Sequence, residues 1–132
     1  MKRKNLEKAI IMGLLTASIS VPVWAADVES GRLWPDANKT VENGNLIIKA
    51  TDTMGIGYQG TVNVVNGDLT VIAGSNGVEA GYAQDATVNL LANNISIEAG
   101  QNGLYVGAEG GYGIVNIGSD ERKVDSLNIT AK

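Results

Sequence analysis

The chain has 132 residues, with 10 Lys+Arg against 14 Asp+Glu, 17 glycines, two prolines, and no histidine, cysteine or phenylalanine. Beyond residue 25 the balance is 6 basic against 13 acidic side chains, a net charge of −7, so a nucleic acid is not an expected partner. Without imidazole or thiol there is no ordinary zinc set, no thiol nucleophile and no disulfide. No metal, cofactor or catalytic residue is expected.

The first eight residues carry Lys2, Arg3, Lys4 and Lys8 against Glu7 alone, and Ala9 to Val23 follows as a largely apolar run. Val23-Trp24-Ala25 then places compact residues, Val23 and Ala25, at the −3 and −1 positions of the exit. A charged start, a short apolar middle and a small-residue exit make a secretory signal peptide over 1–25, with cleavage between Ala25 and Ala26. Thr16, Ser18, Ser20 and Pro22 interrupt the run, which falls short of the roughly 20 apolar residues a membrane span needs. The segment is expected to be a signal helix that engages the export machinery.

Residues 26–44, with Trp34-Pro35, form a leader or cap, and residues 45–132 form a repeat. Leu46-Ile47-Ile48-Lys49-Ala50, Leu69-Thr70-Val71-Ile72-Ala73, Ile95-Ser96-Ile97-Glu98-Ala99 and Leu127-Asn128-Ile129-Thr130-Ala131 superimpose without gaps, at intervals of 23, 26 and 32 residues. Gly44-Asn45, Gly67-Asp68, Asn93-Asn94 and Asp125-Ser126 precede them as turn-formers. A second strand-like piece follows at Ile56-Gly57-Tyr58, Val78-Glu79-Ala80 and Leu104-Tyr105-Val106. A third follows at Val62-Asn63-Val64, Val88-Asn89-Leu90 and Val115-Asn116-Ile117.

The period inside each piece is two, which is a strand. Leu, Ile or Val at positions one and three face one side with Ala at five, while Lys49, Thr70, Glu98 and Thr130 face the other. Three short strands per repeat predict an all-β, right-handed parallel β-helix, the hand following from the crossover rule. About three coils and the first strand of a fourth are expected after the signal. A lone coil buries about seven apolar side chains, too few to offset ordering some 24 residues, so the coils must stack.

Val21-Pro22-Val23-Trp24-Ala25, the Gly-Asx-hydrophobic rungs, Asn76-Gly77-Val78, Asn102-Gly103-Leu104 and Gly111-Tyr112-Gly113-Ile114-Val115-Asn116-Ile117 resemble the amino-terminal part of autotransporter passenger domains. These are secreted, pectin-lyase-like β-helices of Gram-negative cell surfaces. The resemblance implies export, then display at the outer membrane and cell surface or release outside it, and a role as stalk or adhesin. A host or matrix glycan or protein is the implied ligand. The translocating β-barrel of that family has no counterpart in the sequence, and a truncated passenger is expected. An alternative from a different class is a polysaccharide-active lyase or hydrolase fragment, and a third is a non-functional truncated reading frame.

Gly55-Ile56-Gly57-Tyr58-Gln59-Gly60 has the letters of a dinucleotide fingerprint, but a strand follows where that motif needs a helix. Glu109-Gly110-Gly111-Tyr112-Gly113-Ile114-Val115 begins like a calcium nonapeptide, with Val115 where a ligating Asp belongs. Asn63, Asn89 and Asn116 share one position of the third strand and are expected to align on the outer surface as an amide ladder. That row is the candidate ligand contact, together with Tyr105, whose parity points outward; Tyr58, Tyr82 and Tyr112 could add stacking surfaces. Catalysis would need acids gathered on one face beside Arg or Lys. The coils instead disperse the acids, Asp85 and Glu109 share a loop position only, and Arg32 and Arg122 are the only arginines after the signal. The chain is therefore expected not to be an enzyme. The apolar row Leu127, Ile129 and Ala131 is expected to leave an open solenoid end through which copies self-associate.

Overall fold

Period-two alternation, broken every few residues by glycine or asparagine, gives residues 45–132 no stretch long enough for anything but short strands. The computed structural model describes residues 26–34 and 38–132; the signal segment lies outside the described residues. Among the described residues the elements are β1 (Asp27–Ser30), β2 (Lys39–Val41), β3 (Leu46–Ala50), β4 (Ile56–Tyr58), β5 (Gly60–Val64) and β6 (Leu69–Ala73). They continue with β7 (Val78–Tyr82), β8 (Ala86–Leu91), β9 (Asn94–Ala99), β10 (Leu104–Ala108), β11 (Gly113–Ile117) and β12 (Ser126–Ala131).

Three parallel sheets result, in the orders β1-β3-β6-β9-β12, β10-β7-β4 and β11-β8-β5-β2. The chain visits each sheet once per winding, as β3–β4–β5, β6–β7–β8 and β9–β10–β11. This is an all-β parallel solenoid of about three turns. On the first sheet the expected register holds: Leu46 pairs with Leu69, Leu69 with Ile95 and Ile95 with Leu127. Residues 26–44 do more than lead in. β1 pairs with β3, Leu33 bridges to Ile56 and β2 pairs with β5, which lays a thinner winding on the first full coil.

One register differs from the sequence expectation. Thr61 of β5 stands opposite Asn89 of β8, and Asn63 stands opposite Leu91, so β5 is displaced by two residues. Between its second and third strands, coil β6–β8 uses six more residues than coil β3–β5, and it recovers two of them at the next corner. A shift of two keeps every apolar side chain inside, which is why packing tolerates it.

The interior is aliphatic. Leu46, Ile48, Ile56, Val62, Val64, Leu69, Val71, Val78, Val88 and Leu90 are wholly buried, and Ile95 and Ile97 nearly so. Each contributes about 1.5–3 kcal/mol by leaving water. Glycine before each second strand makes room for the neighbouring coil. A Cβ at Gly77 would lie 2.3 Å from Ile97 Cγ2 and 2.6 Å from the Gly103 carbonyl, and Gly55 meets Val71 in the same way. Polar corners are stapled from coil to coil. Asn45 Oδ1 accepts the Asp68 N–H at 2.9 Å, Asp68 Oδ1 accepts Asn94 Nδ2 at 2.9 Å, and Asn94 Oδ1 accepts the Ser126 hydroxyl at 2.7 Å. Asn102 donates its amide to Asn76 Oδ1 at 2.9 Å on the following corner.

Candidate functional site

The outward row on the third sheet is only partly assembled. Asn116 Nδ2 donates to Asn89 Oδ1 at 2.9 Å, and Asn89 Nδ2 continues to Thr61 Oγ1 at 3.2 Å. Both asparagines line an open cleft of about 620 Å3 with Val115, Ile117, Gly118, Ser119 and Asp120. Asn63 is not in this row, because the two-residue displacement of β5 sets it opposite Leu91. Its Oδ1 accepts Arg122 Nη1 at 2.6 Å instead. Tyr105 is 41 % exposed on the second sheet, beside Glu79 of β7, and so lies on another face from the asparagines.

Arg122 and Arg32 are both engaged within the fold. The Arg122 guanidinium, carried by the loop between β11 and β12, donates to the Val64 carbonyl and to the Val65 carbonyl at 2.9 Å. It ties the last corner to a strand 57 or more residues earlier. Arg32 donates to Thr53 Oγ1 at 2.8 Å and lies 4.5 Å over the Trp34 ring. Nearby, Lys39 sits 2.6 Å from Glu29 and 3.0 Å from Asp27, and the hydrogen bond it donates to Glu29, then that to Asp27, raises its pKa above the ordinary 10.5.

The remaining motifs resolve into corners and strands. Ile56–Tyr58 is β4 and Gly60–Val64 is β5, so the glycine-rich hexapeptide runs from strand to strand. Asp85 Oδ1 accepts the Tyr112 N–H at 2.9 Å, a turn contact that leads into β11. Among the described residues, no group of three or more acids converges on a point where an ion could sit. Glu79 is only 3 % exposed and accepts Asn76 Nδ2 at 2.9 Å.

A different constellation emerges where the second sheet turns into the third. Tyr58 stacks on Tyr82 with ring centroids 5.2 Å apart and planes 20° from parallel. Trp34 meets Tyr58 edge-on at 5.1 Å, and the Arg32 guanidinium completes the row. Trp34 remains 49 % exposed and Tyr82 40 %. Strand alternation alone would send Tyr82 inward with Val78 and Ala80, but Gly81, at φ +75°, breaks the alternation immediately before it. One sequence signal does exist: Trp34, Tyr58 and Tyr82 recur at an equal interval of 24 residues, within the span of the coil repeat. Together with Tyr105 and the largely exposed Tyr112, these are the five aromatic residues of the described chain, and none lies in the core. No protein-family model, no curated protein and no solved structure matches this chain.

Proposed function

We propose that this chain is an exported, passenger-type β-solenoid that serves as a non-catalytic adhesive stalk at a Gram-negative cell surface or outside it. The observation that carries this reading is the placement of every described aromatic side chain outside an aliphatic core, three of them in contact along one edge. Aromatic rings ordinarily dominate core packing because they bury the most area. A solenoid that does without them inside presents them to a partner along an extended surface. Support for export comes from the signal pattern over residues 1–25, and support for display from the resemblance of the rungs to autotransporter passengers. The engaged guanidiniums of Arg32 and Arg122 favour adhesion over polysaccharide cleavage, which needs cationic groups free to meet developing charge.

The test has two parts. The chain expressed in a Gram-negative host should leave the cytoplasm and begin at Ala26; protein retained inside with Met1 intact overturns export. Purified protein should bind immobilised matrix glycans or proteins without shortening any polysaccharide. Turnover that disappears on changing Asp85 or Glu109 would replace adhesion with catalysis.

A further inference from the structure

We infer that the edge formed by Trp34, Tyr58 and Tyr82 is a binding strip for a neutral saccharide chain lying along the solenoid axis; this rests on the adhesive reading above. The first ground is geometric. Tyr58 has Trp34 against one side and Tyr82 against another, at 5.1 and 5.2 Å. Tyr82, in contrast, has only Ala108 as its ladder partner in the next coil, a side chain too small to cover a ring, and it stays 40 % exposed. Trp34 closes the other end at 49 % exposure. The strip therefore offers apolar ring surface at both ends of a stack whose pitch is set by the strand spacing of about 4.8 Å. A repeating pitch suits a polymer of repeating units.

The second ground is polar chemistry. The two tyrosines bring hydroxyls, and the chain places the amide residues Gln59 and Gln84 at the same corner, one and two residues beyond Tyr58 and Tyr82. Amides and phenols supply paired donors and acceptors suited to sugar hydroxyls, while the surfaces of Trp34 and Tyr82 that Tyr58 leaves uncovered meet the C–H faces. A protein partner would be anchored by side chains sunk into a well-packed pocket. Here the rings stand on an outer corner of the coil.

The third ground is charge. The one guanidinium on the strip is held by Thr53 and the Trp34 ring, and the chain beyond residue 25 carries a net charge of −7. An acidic polysaccharide would meet repulsion, with no free cation among the described residues of the strip to offset it. The saccharide is therefore neutral.

Affinity electrophoresis of the full chain tests this in native gels cast with a β-glucan, a galactomannan or a dextran, against gels with hyaluronate or polygalacturonate and gels without polymer. Retardation is expected in at least one neutral gel. Tyr82→Ala and Trp34→Ala should each weaken it about tenfold, the equivalent of one lost ring contact. Tyr112→Ala should leave it unchanged. Tyr82→Leu keeps apolar volume without the ring and should be as weak as Tyr82→Ala with an unaltered melting curve. Retardation by acidic polymers alone overturns the neutral assignment, and retardation indifferent to Tyr82 and Trp34 overturns the strip. Absence of retardation in every gel overturns the saccharide; if the same protein still captures a matrix protein the adhesive reading stands without it, and if it captures neither, both fall.

Discussion

The sheet built on β3, β6 and β9 and the corner where the second sheet meets the third come from the same repeat, yet they follow opposite rules. On the first sheet burial alternates without fault, the registers run straight through from β3 to β12, and Leu46, Leu69 and Ile95 stack like on like. At the corner the strands shorten to three residues in β4, Gly81 breaks the alternation, and aromatic rings come to the outside. Ala83 and Glu109 there even take left-handed φ values of 59° and 52°. A solenoid needs one regular wall to fix the stacking of its coils. Once that wall exists, another part of the winding is free to depart from the pattern, and the exposed aromatic rings gather at that departure.

The sharpest way to break this contrast is to disturb the regular wall. Val71→Asp places an unpaired charge in a wholly buried position and should cost about 4–5 kcal/mol or more, which unfolds a domain of this size. Lys49→Asp, on the outside of the same sheet, should shift stability by about 0.5 kcal/mol at most. Chemical denaturation of the two proteins compares them directly, and equal midpoints would contradict the assigned facing of the strands.

Arg122→Ala tests the tie between the loop before β12 and β5. Losing charged donors to the Val64 and Val65 carbonyls and to Asn63 should cost about 1.5–3 kcal/mol. Arg122→Lys should recover only part of this, because one ammonium cannot fan out to three acceptors as a planar guanidinium does. Melting temperatures of the three proteins decide it.

At the irregular corner a substitution should help. Ala83→Gly releases a left-handed alanine and is expected to stabilise the protein by up to about 1 kcal/mol, visible as a higher denaturation midpoint. The smallest effect concerns Lys39. Its folded-state pKa is raised, so its contribution is fully present below the ordinary value of 10.5 and disappears as pH climbs through the raised value. Thermal melts at pH 9 and pH 11.5 should show a fall that Lys39→Met lacks, over and above the general alkaline loss.

Legibility in the sequence follows the same division. Leu69-Thr70-Val71-Ile72-Ala73 and its three relatives announce the first sheet because period two and a fixed terminal alanine survive in every copy. The displacement of β5 left no trace, since a shift of two residues preserves parity and the hydrophobic pattern is blind to it. That shift is what separates Asn63 from Asn89 and Asn116. β1 and β2 were equally hidden: Asp27–Ser30 has polar residues at three of four positions, and its strand character comes from the edge of β3 rather than from its own pattern. Tyr82 has no clear facing in the sequence, because Gly81 reverses the alternation immediately before it. Arg122 could not be linked to Val64 from sequence, since a lone long-range contact has no periodicity to betray it.

The amide staples between coils also give the stack a direction. Asn66 donates to the Glu42 carbonyl, Asn94 to Asp68, Asn102 to Asn76, Asn89 to Thr61 and Asn116 to Asn89. In every one of these the donor belongs to the later winding and the acceptor to the earlier. Aligned amide dipoles therefore add along the axis instead of cancelling, and each winding, once in place, already displays the oxygens its successor requires.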